Sequence, residues 1–215
     1  MTADIDIVRA VARAPLRTLR LKDVPELVQN TWRAVDRLVE QGALFRLTHG
    51  VYTAPPDGSD GRKGKPPLEA AALALATARF GAREVALMGV SAARHWAAIP
   101  RAIGVTTVAV PRRGYAPITF EGGGIVKFIP REMHALELIL EHTGLGHGLV
   151  TTPAQTLFDL LGRGDRDGLG REITSAIENL TAQVKPEGFA EIVERARLVP
   201  AGARAMLRRL ETANG

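Results

Sequence analysis

The chain has 215 residues, of which 46% are hydrophobic, so it is long enough to bury one large core or two smaller ones. Its 28 lysine and arginine residues against 23 aspartate and glutamate residues give a net charge of +5, which favours polyanionic partners. Cysteine is absent, and this excludes disulfides and thiolate metal sites. We expect a cytoplasmic protein, because no signal peptide is recognisable and the longest apolar run, near residues 70–78, is too short to span a bilayer.

The first forty residues predict three helices. Apolar residues recur at helical spacing over residues 4–12, and a short second helix is predicted over residues 21–27, after an extended segment at 16–19. The third helix is predicted to begin after the N-cap residue Asn30 and to run to Gln41, which a glycine follows.

Two short strands are predicted after the third helix. Residues 44–48 and 51–53 alternate as strands, and His49 and Gly50 between them suit a hairpin turn because glycine adopts positive φ at little cost. Three helices followed by a hairpin are the outline of a winged helix-turn-helix. The sequence therefore predicts a DNA-binding domain over residues 1–54.

The predicted third helix has an apolar face and a polar face. Its buried stripe is predicted to consist of Trp32, Val35, Leu38 and Val39. The opposite face carries four residues at i, i+3, i+4 and i+7, namely Asn30, Arg33, Ala34 and Arg37. Arginine pairs bidentately with guanine and asparagine with adenine in the major groove, so this face, with Thr31, is predicted to contact DNA. The alternative is a solvated polar face, which most helices have.

Basic and polar residues around this helix are candidate phosphate contacts. They are Arg17, Arg20 and Lys22 before the predicted second helix, and Arg46 and His49 on the predicted wing. Contacts of this kind fix the register of a protein on DNA and carry no base information.

A linker is predicted over residues 55–67. The sequence PPDGSDGRKGKPP is crowded with glycine, proline and charge and offers little to bury, which is typical of a mobile tether. Its Arg62, Lys63 and Lys65 either lie along DNA phosphates or only keep a solvated connector extended.

The second domain, residues 68–215, is predicted to open with alternating helices and strands. Helices are expected at 68–80 and 91–98, the latter capped by Ser91, and strands at 84–88, 105–110, 118–121 and 125–129. The segments PRRGY and Gly122-Gly123-Gly124 look like hairpin connections, which predicts an antiparallel arrangement and not a doubly wound one.

The last third of the chain is predicted to be mainly helical. A strand at 149–151 precedes Thr152, which can cap a helix with Pro153 at its first position and Gln155 completing a capping box. Further helices are predicted at 168–181, 187–197 and 201–212. The predicted fold class is therefore α+β, with a small, mainly antiparallel sheet and C-terminal helices.

The sequence offers no convincing catalytic or metal-binding set, and no cofactor is predicted. Glu121 and Lys127 flank the glycine run and are interpreted as a cross-strand charge pair. His142 and His147 are interpreted as histidines of a glycine-rich loop, because no acidic third ligand is near them. The expected protein is not an enzyme.

The second domain has its own basic residues beside the predicted strands. Arg112 and Arg113 lie in the PRRGY connection and are candidate DNA contacts. A solubilising basic surface is the alternative.

Three strings resemble the AbiEi-type antitoxins of bacterial type IV toxin-antitoxin systems. They are LFRLTHGVYTAP at the end of the predicted winged helix, MGVSAARHWAAIP early in the second domain, and LVTTPAQTLFDLL before the terminal helices. At the wing, His49 stands where family members commonly have an arginine, and a neutral imidazole attracts phosphate less.

The resemblance implies a function for each domain. The first would bind inverted repeats in double-stranded promoter DNA and repress its own operon, and the second would counteract a cognate nucleotidyltransferase toxin, with or without direct contact. Two alternatives remain at the level of sequence. One is an interaction module that restrains the toxin by contact, and the other is a generic winged-helix transcriptional repressor.

Overall fold

The computed structural model describes residues 2–24, 30–59, 62, 64–162 and 168–213, and it is a mixed α/β structure with two sheets. No helix within these ranges is both long and apolar enough to cross a membrane. The first sheet belongs to an N-terminal module and the second to the rest of the chain.

The N-terminal module contains two helices and a three-stranded sheet within its described residues. In chain order they are α1 (Thr2–Arg13), β1 (Thr18–Arg20), α2 (Thr31–Glu40), β2 (Phe45–Thr48) and β3 (Val51–Thr53). The antiparallel sheet has the order β1-β3-β2, and the hairpin turn uses Gly50 at a φ of +72°. Ile7, Val11, Val35 and Tyr52, all without exposed surface, form the core of the module.

Two predicted segments of this module, residues 16–19 and 21–27, differ from the described structure or lie partly outside it. The segment expected to be extended at 16–19 begins with a 3-10 turn, Pro15–Arg17, in which Leu16 has a φ of +48° and turns its side chain into the interior. Of the predicted second helix at 21–27, the structure describes only a 3-10 turn, Leu21–Asp23, and Val24, and the rest lies outside the described residues.

The second sheet has six strands in the order β6-β7-β5-β4-β9-β8. The strands are β4 (Ala86–Leu87), β5 (Val105–Val110), β6 (Ile118–Thr119), β7 (Ile125–Pro130), β8 (Leu138–Thr143) and β9 (Gly146–Thr151). The sheet is mixed, because β5 pairs with β7 and β4 with β9 in parallel, while the other neighbours are antiparallel.

Two sequence interpretations of this sheet are corrected. PRRGY is not a hairpin, because β5 pairs with β7 and the chain crosses to the edge strand β6 before turning back through the three glycines. Strand β8 was not foreseen, and His142 and His147 lie opposite one another across the β8–β9 hairpin, not in a loop. Glu121 lies in the turn beyond β6 and approaches Arg46 of the N-terminal module to 3.8 Å.

Six helices complete the described part of the second domain. They are α3 (Leu68–Phe80), α4 (Gly89–His95), α5 (Pro153–Leu161), α6 (Gly170–Thr181), α7 (Pro186–Arg195) and α8 (Ala201–Ala213). Helix α3 is alanine-rich and mostly buried. Every residue from Ala70 to Thr77 belongs to the interior. Helices α4 to α8 pack around a separate cluster that includes Leu157, Leu180 and Phe189.

The two predicted helix caps have different outcomes. Thr152 caps α5 as predicted, accepting a hydrogen bond from the Gln155 amide at 3.2 Å. The Gln155 side chain does not complete a capping box, because its Oε1 accepts from the Glu137 amide. Ser91 caps nothing: α4 begins at Gly89, and the buried Ser91 hydroxyl accepts from the Thr107 amide at 2.6 Å, which ties α4 to β5.

The N-terminal module packs directly on the second domain. Leu16, Leu47 and Val51 belong to the same buried cluster as α3 and the six-stranded sheet. The described part of the predicted linker contacts both units, since Arg17 donates to the carbonyl of Pro55 at 3.1 Å and Lys65 lies along Gly122. These contacts differ from those expected of a free tether.

Candidate nucleic-acid interface

Helix α2 presents one exposed polar edge. Asn30 is its N-cap as predicted, and its side-chain oxygen accepts from the Arg33 amide at 3.1 Å. Asn30, Arg33 and Arg37 are exposed, whereas Thr31 at the first helical position is half-buried. The cap uses the oxygen of the Asn30 side chain, and no hydrogen bond of its NH₂ group is seen among the described residues. The edge therefore offers hydrogen-bond donors to a ligand.

Two assignments on this helix are wrong. Ala34 was expected to face outward but is only 4% exposed, because the apolar stripe runs through Ala34, Val35 and Leu38. Trp32 was expected in that stripe but is 38% exposed, and its ring lies 5.4 Å from the ring of His49 at the hairpin turn. The buried stripe is thus rotated away from Trp32 and toward Ala34.

The two arginines of the edge differ in their surroundings. One guanidinium nitrogen of Arg37 donates to both carboxylate oxygens of Asp4, at 2.6 and 2.8 Å, and half of the Arg37 side chain remains exposed. This pair links α1 to α2 and holds Arg37 in a defined orientation. Arg33, one turn earlier, is exposed.

Arg17 is not available for phosphate. Its Nε donates to the backbone carbonyls of Ala54 and Pro55 at 3.4 and 3.1 Å, and its terminal nitrogen pairs with Asp57 at 2.7 Å. Only 20% of the side chain is exposed. Arg17 therefore anchors the start of the linker, which corrects its predicted role.

Arg46 is also mainly structural, which corrects its predicted role as a phosphate contact on the wing. It forms ion pairs with Asp36 of α2 and, at 3.8 Å, with Glu121 of the second domain, and its guanidinium lies 5.8 Å from the Tyr52 ring. Burial alone lowers the pKa of Arg46, but the neighbouring Tyr52, Glu121 and Asp36 outweigh it and raise that pKa above its ordinary value. Arg46 stays charged and joins the two units.

The remaining candidate DNA contacts differ in how exposed their side chains are to solvent. Lys22 and His49 are exposed, while Arg20 is one-third exposed and pairs with Asp23 at 2.5 Å. Arg112 and Arg113 are both exposed in the connection between β5 and β6.

Arg79, in the last turn of α3, has a pKa below its ordinary value. Burial is the largest cause that lowers its pKa, and the positive charge of Arg20 lowers it further, whereas Tyr115 raises it. Tyr115 itself packs edge-on against Phe80 at 4.8 Å and follows Arg113 by two residues. Tyr115, and Arg20 of the N-terminal module, therefore both lie near the last turn of α3.

The sequence does not indicate that Trp32 is exposed beside His49, or that Arg17 and Arg46 are paired with other residues of the protein. Spacing on the helix could have assigned Trp32 to either edge of the stripe. The partners of Arg17 and Arg46 lie far along the chain, at Pro55 and Glu121, and local pattern carries no signal for them. Among the described residues, no group of three histidine or acidic side chains is placed to hold a metal ion.

These elements define a mixed α/β protein in which a helix-and-hairpin module is packed on a six-stranded sheet and a helical end. No family model and no curated protein matches the sequence. The chain is similar to the crystal structure of the Rv2827c protein from Mycobacterium tuberculosis, with a TM-score of 0.65 and 18% identity over 100% of this chain and 78% of that chain. This similarity shows a shared fold.

Proposed function

We propose that the protein is a cytoplasmic, non-enzymatic antitoxin that binds promoter DNA, represses its own operon and counteracts a nucleotidyltransferase toxin. The observation that carries the DNA-binding part is the exposed edge of α2, which holds Asn30, Arg33 and Arg37. In this proposal the N-terminal module is a winged helix, with α2 as the recognition helix and β2–β3 as the wing. The antitoxin part rests on the resemblance of three sequence strings to the AbiEi family.

The dimensions of α2 support insertion into a major groove. A helix with its side chains is about 10–12 Å across, which matches a groove about 12 Å wide, and the ten residues of α2 extend about 15 Å along it. Arg33 and Arg37 are one turn apart, at a spacing of about 6 Å, so they can address neighbouring base pairs. Arg37 must exchange Asp4 for a base, and we therefore expect Arg33 to contribute more to affinity.

A mobility-shift titration with the upstream DNA tests the recognition helix. Replacing Arg33 and Arg37 by alanine is expected to cost about 1–3 kcal/mol each, because each loses a bidentate contact to a base. The matched control is Arg204→Ala with Arg208→Ala, two exposed arginines at the same i, i+4 spacing on α8. Binding that survives the α2 substitutions at moderate salt, or that falls equally in the control, contradicts the assignment.

The salt dependence of the same titration tests whether the footprint extends to the second domain. We propose that Arg112 and Arg113 contact phosphates beside the groove, because both are exposed and positively charged. Charge reversal of both residues to glutamate is expected to lower affinity and to flatten the dependence of affinity on salt. An unchanged slope removes this turn from the footprint.

The proposal predicts a nucleotidyltransferase gene beside this one, and co-expression with its product tests antitoxicity separately. The Arg33→Ala, Arg37→Ala variant is expected to lose repression of a promoter reporter and to retain rescue of growth, because the second domain is intact. Loss of rescue in this variant, at equal protein level, would show that neutralisation depends on DNA binding. Failure of the unmodified chain to rescue growth would reject the antitoxin function and leave repression as a separate result.

A further inference from the structure

Two histidines of the second domain lie side by side on the β8–β9 hairpin. His142 of β8 and His147 of β9 are direct partners in the antiparallel register, and their ring centres are 5.3 Å apart with the ring planes at 80°. Both side chains are exposed. Directly opposite residues of an antiparallel pair project from the same face of the sheet, so one ligand from solvent can reach both imidazoles.

The spacing of the two rings suits a shared metal ion. An imidazole nitrogen binds a divalent transition metal at about 2.0–2.1 Å, so two imidazoles on one tetrahedral ion have ring centres about 5 Å apart. The distance between His142 and His147 is close to this value. The torsion that turns an imidazole ring has broad minima, so two exposed rings can aim one nitrogen each at a common point at little cost.

The backbone that carries the pair is well fixed. Six residue pairs join β8 to β9, and the last of them, Thr143 with Gly146, closes the turn. The Thr143 hydroxyl donates to the Gly146 carbonyl at 2.7 Å, and the side chain of Leu145 in the turn is only 2% exposed. The two histidines are therefore preorganised, and binding a ligand orders little beyond the two rings.

The other histidines of the sequence have partners of their own. His49 packs against an aromatic ring, while His95 and His134 each lie within 4 Å of a carboxylate. Within the described part of the chain, no hydrogen bond or ion pair of His142 or His147 is seen, and their rings contact each other. Their nitrogens are therefore open to a ligand.

The charges beside the pair favour a cation. His142 lines the same recess as Glu69 and Arg94, which form an ion pair at 2.7 Å. Glu141, the neighbour of His142 on β8, adds a second carboxylate and lies 3.3 Å from His95. While the imidazoles are neutral, two carboxylates against one guanidinium leave an excess of negative charge, which attracts a divalent cation.

We propose that His142 and His147 bind one divalent transition-metal ion, such as Zn²⁺ or Ni²⁺, through one ring nitrogen each, with water at the other positions. Two protein ligands are fewer than the four of a structural zinc site, so the ion stays open to an outside ligand. Imidazole suits zinc, nickel and copper, whereas manganese and magnesium prefer oxygen ligands. The site belongs to the second domain, so the inference does not depend on the proposed DNA-binding helix.

Isothermal titration calorimetry of the full chain with Zn²⁺ and with Ni²⁺ tests the proposal at about pH 7.5, where imidazole is mainly neutral. Each metal is expected to bind saturably at one site. Mn²⁺ has the same charge but prefers oxygen ligands, so it is expected to bind at least about tenfold more weakly. Nuclear magnetic resonance identifies the ligands, because Zn²⁺ should shift the imidazole signals of His142 and His147 and leave those of the other three histidines unchanged.

Two variants locate the site. His142→Asn and His147→Asn are each expected to weaken Zn²⁺ binding at least about tenfold, because a chelate that loses one of its two ligands loses the second, intramolecular bond. The matched control is His134→Asn, at an exposed histidine before β8, which should bind Zn²⁺ as the unmodified protein does. Thermal unfolding verifies that all three variants are folded.

Four results would overturn the proposal. Neither Zn²⁺ nor Ni²⁺ gives a saturable signal at millimolar concentration, or Mn²⁺ binds as tightly as they do. Equally, His142→Asn and His147→Asn both keep the affinity of the unmodified protein, or His134→Asn loses as much affinity as they do.

Discussion

Asp159 of α5 is a buried carboxyl group whose ionisation should be visible in the stability of the protein. Its Oδ1 accepts from Gln155 Nε2 at 3.2 Å and lies 3.8 Å from Arg131, while its Oδ2 is buried with no hydrogen-bond partner among the described residues. Burial raises the pKa of Asp159 to about 6, and Arg131 and Gln155 offset this only in part. The folded protein therefore binds this proton more tightly than the unfolded chain does.

The sign of the resulting pH dependence follows from this difference. The stabilising contribution is fully present below the unfolded pKa of about 3.9, is lost as the pH rises through about 6, and amounts to at most about 3 kcal/mol. Asp159→Asn is expected to raise the free energy of unfolding at pH 7 by about 1–3 kcal/mol relative to the unmodified protein, and to match it near pH 4. Urea titrations across this pH range measure the difference.

The control for this prediction is Asp57→Asn. Asp57 is 93% exposed and pairs with Arg17 at the surface, so its replacement should change stability little at any pH. A difference between Asp159→Asn and the unmodified protein that stays constant from pH 4 to 7 would contradict the buried-carboxyl argument.

At the level of single residues, the sequence predicts the cap of α2 and the exposure of its arginines, but not the exposure of Trp32, the burial of Ala34 or the partners of Arg17 and Arg46. Asn30 as the N-cap, and the exposure of Arg33, Arg37 and Lys22, follow from local spacing and capping rules. The partial burial of Arg17 and Arg46 does not, because arginine side chains have an apolar stem and a charged head, and the partners of that head are set by tertiary contacts.

Among the elements, strand β9 packs against α3 through a glycine that leaves no room for a side chain. A Cβ at Gly148 would overlap the side chain of Leu73, which is 1% exposed and cannot move aside freely, and it would also contact Leu16. Gly148→Ala is therefore expected to lower the free energy of unfolding by about 1–3 kcal/mol, as overpacking does in a dense core. Chemical denaturation measures this change.

Gly104→Ala is the matched control for this close packing. Gly104 precedes β5, is exposed, and has no atom within 4 Å of an added Cβ, so the substitution should stay within about 0.5 kcal/mol of the unmodified protein. Equal stability of the two variants would show that β9 and α3 can separate without cost, and the packing argument would be wrong.

The helices and strands could be predicted more fully than the way in which the strands pair. Helix α3 and strand β5 have the predicted bounds, because an alanine-rich helical run and a β-branched run are strong local signals. Strand β8 is not predicted, since its exposed Ile139 and Leu140 and its His142 break the alternation of a half-buried strand. The parallel pairing of β5 with β7 depends on a crossover that local residues do not specify.

On the scale of the whole molecule, the two units share one interior, and this changes what the predicted linker means. Leu16, Leu47 and Val51 of the N-terminal module are packed in the same cluster as Leu73 and Leu75 of α3. The composition of residues 55–67 predicts a mobile tether, but it indicates only how much surface the linker itself can bury. The composition of the linker does not indicate whether the two units that it joins bury surface against each other.

We expect this shared interior to make the two units unfold together. Differential scanning calorimetry should give one transition whose calorimetric and van't Hoff enthalpies agree. Leu47→Ala, at a residue of β2 that is 4% exposed in the shared cluster, is expected to cost about 2–4 kcal/mol and to move the whole transition to lower temperature. Two transitions, of which Leu47→Ala shifts only one, would instead mean that the module unfolds by itself and that the contact between the units contributes little to their stability.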